Sequence, residues 1–588
     1  MAIAQHDVVE TTLGSAPKTT DPQERVDVVF VEPDGLERRV PAFVRRGEWK
    51  VRYSSAVLGH HRYHAETDVT LGEREGEIEV DAGEKSDGTN PHGALRVASD
   101  RRHLQHTDGT PFLWLADTWW DGFTRRLSTD DFRRLAAQRA EQGFSVVQIV
   151  AGLYPEMAPF APEGESASGW AWHEGFTAPN LAWFDEADER VTELVNHGLV
   201  PCIIGAWGYY LQYMSVKQML RHWRELMARW GAYPVVWCLA GEMPALGYDQ
   251  MLAAVSKFEP EGMKPRELVP LLLRQLSLKL RHRGRGDVGF PDSSAIATML
   301  GVGPAVADQV KRWNEVARGV RAIEPFGRPI TVHSQPNWPP YELLEDLDLA
   351  DFWLLQTGHS ATYSLAPSVN QVVHALAQTP AKPVLVGEVC YEGILGSSWH
   401  EIQRFLFWSH LLSGTAGHSY GAQGVWGFNT PEYPGGTGGR WSELTWQDAA
   451  ALPGATHLGI GRQILMGLPW EQFDPHPEWV KPHHSARDRI QPYAAGVPGG
   501  PRVVYFPVPA LVRNSLGFRT VRLEDLGTGA WVARFVNPRT GRPEPTFLVE
   551  PDAKGGVTLK DALAGPLPSK EDWVLVLRPA TSAEGQMS

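Results

Sequence analysis

Two stretches of this sequence share one form. The runs from Pro234 to Glu242 and from Lys382 to Glu388 each carry a continuous apolar segment, then a glycine, then a glutamate. An apolar segment bounded by proline and glycine reads as a short strand buried on both faces, as in a parallel sheet. A carboxylate at such a strand's exit is costly to bury unless it has partners or a task. Two of them, at the carboxyl ends of two buried parallel strands, are the minimum equipment for cleaving a glycosidic bond by acid/base and nucleophilic chemistry.

The elements that must bring these groups together are spelled out between residues 95 and 470, where strand, loop and helix alternate. Pro111 to Asp117 is the first strand, followed by a helix over 129–142 with Ser128 as its N-cap. Phe144 to Val150 precedes a helix over 185–197, and Leu199 to Ile204 precedes one over 216–230. The fourth strand carries Glu242. Arg328 to His333 is the fifth, Asp351 to Gln356 the sixth, the Glu388 stretch the seventh, and Gly414 to Tyr420 the eighth. The fold class is α/β: a (β/α)8 TIM barrel, whose active face lies at the carboxyl ends of its strands. Strands four and seven lie across the barrel from each other, so Glu242 and Glu388 can meet over the mouth, about 5 Å apart if the enzyme is of the retaining kind.

Other residues at strand exits are candidates to hold a ligand. Asp117, before Trp119 and Trp120, either binds sugar hydroxyls against an aromatic wall or caps the following loop. His333, Gln356, His359 and Tyr420 occupy or follow strand exits, where each is a ligand contact or a satisfied structural polar group. Tyr391, just past Glu388, either controls the charge of that carboxylate or belongs to the core, while Trp207 and Trp426 are candidate stacking platforms. Glu392 is a rival nucleophile, but it lies beyond the strand's end. No His-X-His follows the first strand, no His-Glu-X-X-His occurs, and His60, His61 and His64 lack companions to complete a ligand shell, so no metal is expected. No glycine-rich phosphate loop joins a strand to a helix, and no cofactor is expected either.

The flanks read differently. Residues 1–24 are polar and without period, a flexible lead-in; residues 25–82 alternate apolar and polar positions around Pro-Asp-Gly and Arg-Gly turns, a small β-sandwich, and 83–94 form a linker. After the barrel (95–470) the helices stop, and 471–588 is a second β-sandwich. An insertion, 245–302, is too long for an ordinary βα loop and contains an apolar stretch with a basic end. It reads as a lid on the barrel rim or a subunit contact of a homo-oligomer.

Among 588 residues, 43% are hydrophobic and the formal charge is −14 with no dominant basic patch, which argues against nucleic acid or an anionic membrane as partner. Tryptophan outnumbers phenylalanine, 23 to 21, supplying either sugar-stacking faces or core. The first residues lack the basic and apolar regions of a secretory signal, no apolar run reaches the length of a membrane span, and Cys202, Cys238 and Cys390 fall in or beside apolar strands. A cytoplasmic location is expected.

The motifs His106 to Trp120, Trp237 to Glu242, Leu355 to His359, Gly387 to Gly393 and Ala416 to Gly421 together resemble the apiosidase-like glycoside hydrolase family (family 140-like). Pro33-Asp-Gly and Trp49 to Tyr53 resemble the β-sandwich often preceding that barrel, and the tail resembles a C-terminal module named for collagen binding, read here as a structural sandwich. The resemblance implies a retaining glycosidase acting on a carbohydrate, with the acid/base at Glu242 and the nucleophile at Glu388. One departure stands out: Gly241 occupies the place where asparagine is commonest. Long loops closing the mouth favour exo action on short oligosaccharides or glycosides. A transglycosylase of the same fold and a non-catalytic carbohydrate-binding protein are the alternatives.

Overall fold

The computed structural model describes residues 2–16, 25–83, 91–246, 303–336, 338–434, 443–508, 521–559 and 571–581. Residues 247–302, nearly the whole of the expected insertion, lie outside the described residues. Eight parallel strands form the centre: β1 (Trp114–Trp119), β2 (Val146–Val150), β3 (Val200–Ile204), β4 (Val236–Cys238), β5 (Ile330–Thr331), β6 (Trp353–Gln356), β7 (Val384–Glu388) and β8 (Gly417–Ser419). Their order is β5-β4-β3-β2-β1-β8-β7-β6. A parallel bridge between His333 and Leu354 and the hydrogen bond from Thr331 Oγ1 to the Phe352 carbonyl, 2.8 Å, join β5 to β6 and close the cylinder.

The strands are hydrophobic throughout because both faces are covered, by barrel interior and by helices. Those helices are α1 (Thr129–Glu141), α2 (Leu181–Asn196), α3 (Val216–Trp230), α4 (Gly303–Ile323), α5 (Pro340–Leu343), α6 (Thr362–Leu376), α7 (His400–Leu411) and α8 (Pro453–Met466). Serine starts two of them: Ser128 accepts from the Asp131 amide, and Ser215 forms a reciprocal capping box with Gln218. Ten tryptophans, Trp114 and Trp237 among them, rank with the largest fully buried side chains, so most of the tryptophan excess builds core. Among the described residues no helix is long and apolar enough to cross a membrane.

The N-terminal residues depart from the sequence expectation. Ala2–Ala4 and Val9–Ser15 are strands, not a flexible lead-in; each adds to an edge of the two sheets that form the first sandwich. The alternation of buried Val9, Thr11 and Leu13 with outward neighbours is the cause, a short period-two signal inside an otherwise polar stretch. His61 faces inward, bonded to the Tyr53 hydroxyl and the Val57 carbonyl, whereas His60 and His64 pair with Glu79 and Glu66 outside.

Buried ion pairs fasten both sandwiches to the barrel. Arg52 of the first reaches Asp188 of α2 through two hydrogen bonds of 3.0 Å, and Arg229 of α3 contacts the same carboxylate and the Val44 carbonyl. Trp230 Nε1 donates to Asp188 as well. In the last sandwich Asp572 takes a fork of 2.6 and 3.0 Å from Arg404 of α7, with Tyr505 as a further donor. A buried forked pair contributes geometry more than energy while intact, but removing one partner strands the other's charge. Replacing Asp188 by alanine is therefore expected to lower unfolding stability by about 3–5 kcal/mol, measured by chemical denaturation. A loss below about 1 kcal/mol, the range of exposed pairs, would show that water reaches this junction.

Candidate active site

Beyond Cys238 the chain leaves β4 but stays laced to its neighbours: Leu239 N donates to the Thr331 carbonyl, Gly241 N to that of Ala206, and Gly208 N to that of Gly241. Glu242 then sits at φ 46°, a left-handed conformation that a glutamate adopts only when its surroundings impose it. Gly241 is a matter of space. A Cβ there would lie 2.2 Å from the Trp207 ring, which covers the peptide, so no asparagine fits while that indole holds its place. The Glu242 carboxyl accepts from Gln335 Nε2 at 2.8 Å on one oxygen and from Gln356 Nε2 at 3.1 Å on the other.

Glu388 arrives by a different device. Leu355 pairs with Val386 but Gln356 with Glu388, so Gly387 is an additional residue in β7. Such a bulge reverses the in-and-out alternation and re-aims the next side chain. Glycine is required there, since a Cβ would stand 2.6 Å from the Leu354 side chain. His359 Nε2 donates to Glu388 Oε1 at 2.8 Å; its Nδ1 accepts from the Tyr391 amide at 3.4 Å, which assigns the ring proton to Nε2. His333 Nε2 lies 3.1 Å from Oε2, at an angle too oblique for a well-formed hydrogen bond.

These surroundings drive the two carboxyls apart. Glu242 is raised above the ordinary carboxylate range, first by burial and then by the negative charge of Glu388, against the smaller pull of the two amides and His333. Burial alone would raise Glu388 too, but the two imidazoles outweigh it and hold the group far below that range.

Aromatic rings wall the pair. Trp120 Nε1 donates to the Tyr391 hydroxyl at 2.9 Å, and its ring meets Trp207 and His333 edge-on at 5.6 Å. Tyr391 lies against His359 and stacks at 6.3 Å on Trp426. Trp120, Trp207, His333, Gln356, His359, Tyr391 and Trp426 thus converge with Glu242 and Glu388. Trp119, Asp117 and Tyr420 do not.

On β1 the side chains alternate, so Trp120 faces the barrel interior while Trp119 and Asp117 face α1. Trp119 packs edge-on against Phe132 and Phe428, and donates to Asp117, whose Oδ2 lies 2.6 Å from Arg139 Nε in a fully buried pair. Asp117 is consumed by that pair and is neither a ligand contact nor a loop cap. Tyr420 donates to Glu392 at 2.6 Å. Glu392 also accepts from Gly454 N at the start of α8, and burial pushes it up to about 7; it anchors a helix away from Glu242 and Glu388. Gln335, missed in the sequence, lies two residues past His333, and that period of two is the signal that would have found it.

Residues 98–472 match the family described as the apiosidase-like catalytic domain. The chain belongs to this family. The apiosidase-like barrel with its sandwiches also resembles solved structures: a glycoside hydrolase at 18% identity, covering 83% of this chain and 97% of that one with a TM-score of 0.60, and a glycoside hydrolase family 5 structure from Bacteroides vulgatus at 18%, 84% and 95%, TM-score 0.61. A third, also from Bacteroides vulgatus, is matched over 98% of this chain and 100% of its own at 15% identity, TM-score 0.64. At these identities the likeness concerns the fold. Comparison with curated proteins returned no match. Family and fold together make this apiosidase-like protein a glycosidase with a carbohydrate substrate.

The electrostatic coupling has a direct test. In Glu388→Gln the charge that helps raise Glu242 is gone but its burial is not, so Glu242 should titrate lower than in the wild type. Carbon-13 carboxyl titration reads this; an unchanged Glu242 would mean that the two groups do not sense each other.

Proposed function

We propose that this apiosidase-like protein is a retaining glycosidase in which Glu388 is the nucleophile and Glu242 the acid/base. The observation that carries the reading is the opposite displacement of two facing carboxyls, one held below the ordinary carboxylate range by imidazoles and one raised above it by burial and its neighbour. The displacement opens a pH window in which Glu242 keeps its proton while Glu388 is ionised, the pairing that double displacement requires. Glu388 Oε2, the oxygen without a well-formed hydrogen bond, attacks the anomeric carbon while Glu242 gives its proton to the departing glycosidic oxygen. The glycosyl ester on Glu388 is then opened by water, whose proton returns to Glu242, and the enzyme is restored. Two links favour the close spacing of a retaining pair, about 5 Å, over the wider spacing of an inverting one. Gln356 bonds Glu242 while pairing in register with Glu388, and His333 acts on both carboxyls.

Exo action on short glycosides is part of the same proposal. Tryptophan and tyrosine rings enclose Glu388, which is only 6% exposed, and such a wall suits a terminal sugar better than the middle of a polymer. A reducing, cytoplasmic setting fits the three free cysteines, all buried.

Hydrolysis of a panel of aryl glycosides, pentosides and deoxyhexosides included, tests the roles. The expected result is one cleaved glycoside, loss of at least about 10⁴-fold in kcat for Glu388→Ala, and rescue of Glu242→Ala by azide with a glycosyl azide of retained configuration. The kcat/KM profile should be bell-shaped, its acid limb below 4.5 from Glu388 and its alkaline limb above 4.5 from Glu242. Inverted product, or an active Glu388→Ala, would overturn the assignment.

A further inference from the structure

Behind the sixth strand runs a chain of buried polar groups that makes no contact with the two carboxyls. Thr357 Oγ1 lies 2.7 Å from Ser368 Oγ of α6. Ser368 Oγ lies 2.8 Å from His410 Nε2 of α7, and His410 Nδ1 lies 3.1 Å from His418 Nδ1 of β8. All four side chains are at most 1% exposed. Burial holds both imidazoles below the ordinary histidine range, so they are neutral, and His418 leaves its Nε2 without a hydrogen bond. A buried polar chain of this length is expensive for a wall that apolar side chains could fill.

Its position explains the expense. Thr357 sits between the two residues that hold the carboxyls: Gln356, which donates to Glu242, and His359, which donates to Glu388. Its own amide donates to the Glu388 carbonyl at 3.0 Å. The three residues follow the β6–β7 bulge, where the ladder no longer fixes side-chain direction, and the backbone reaches a left-handed residue, Ala361, just beyond. Backbone bonds from Gln356 N to Ser334 Oγ and from Cys390 N to the Gly358 carbonyl hold the main chain here, and the anchor from the outer layer is what holds the Thr357 side chain.

Resting on the catalytic reading of Glu242 and Glu388, we propose that Thr357, Ser368, His410 and His418 form a positioning network that locks the β6 exit and thereby aims Gln356 and His359 at their respective carboxyls. None of the four touches substrate. Their effect is exerted through a donor on each catalytic group, and each of those hydrogen bonds favours the charged carboxylate.

The test compares Thr357→Val, which keeps shape and loses the hydroxyl, with Ser368→Ala and the conservative Thr357→Ser. Thr357→Val and Ser368→Ala should each lower kcat about 10- to 100-fold, the scale of an ångström-sized misplacement, with KM changed less than about 3-fold. Both limbs of the pH profile should move to higher pH, because each carboxyl loses part of a donor. Thr357→Ser should restore kcat and both limbs. Carbon-13 titration of the two carboxyls in the same variants gives the same shifts without any substrate, so it decides the positioning claim even if the wild type cleaves no glycoside and the catalytic reading falls. Variants with a lowered Tm but wild-type kcat and carboxyl titration would overturn the proposal and leave the network a packing device.

Discussion

Two carboxylates placed close together in a poorly hydrated barrel mouth repel each other, and burial penalises the charge of both. The protein resolves this conflict by surrounding the two groups with different chemistry. Glu388 is met by two imidazoles, Glu242 by two carboxamides. The two imidazoles outweigh the burial penalty on Glu388, whereas the neutral amides offset only part of it on Glu242, so Glu242 keeps its proton to the higher pH of the two. The proposed division of labour between acid and nucleophile rests on that asymmetry.

Each half of the arrangement depends on backbone irregularity at a strand exit. Glu242 is delivered by a left-handed residue after a glycine that an indole covers, Glu388 by a bulge whose extra residue is again a glycine. Such conformations persist only where the surroundings impose them. The closed ladder supplies that rigidity from within, and the Arg52–Asp188 and Arg404–Asp572 forks brace the outer helices α2 and α7 against the two sandwiches. The sandwiches are thus tied into the same body as the barrel that carries the site.

Much of this was legible in the sequence. Apolar runs of strand length alternating with amphipathic helices announce a parallel barrel, and the repeated apolar-Gly-Glu form singles out Glu242 and Glu388. Neighbours at strand exits, His333, Gln356, His359 and Tyr391, follow from the rule that side chains there face the ligand. Where the structure differs, the physical reasons are separate. Reading the first strand as ending at Asp117, when it continues to Trp119, places outward positions in the mouth and groups Asp117 and Trp119 with Trp120. Tyr420 turns away from the mouth because the residue that claims its hydroxyl, Glu392, comes from another strand's loop. The strands at Ala2–Ala4 and Val9–Ser15 were hidden by polar composition, since edge strands need only a few inward residues. The bulge leaves no mark that one sequence displays, and the sequence does not say which carboxyl each strand-exit residue meets.

Neutron diffraction from crystals of the unmodified protein at a pD near 4.5, the ordinary carboxylate value, tests the central claim most directly, because it locates the proton without a substrate, a variant or a kinetic assumption. The account predicts a deuterium on the Glu242 carboxyl and none on Glu388. A deuterium on Glu388 with Glu242 bare would exchange their roles, and two bare carboxylates would leave the barrel without its acid.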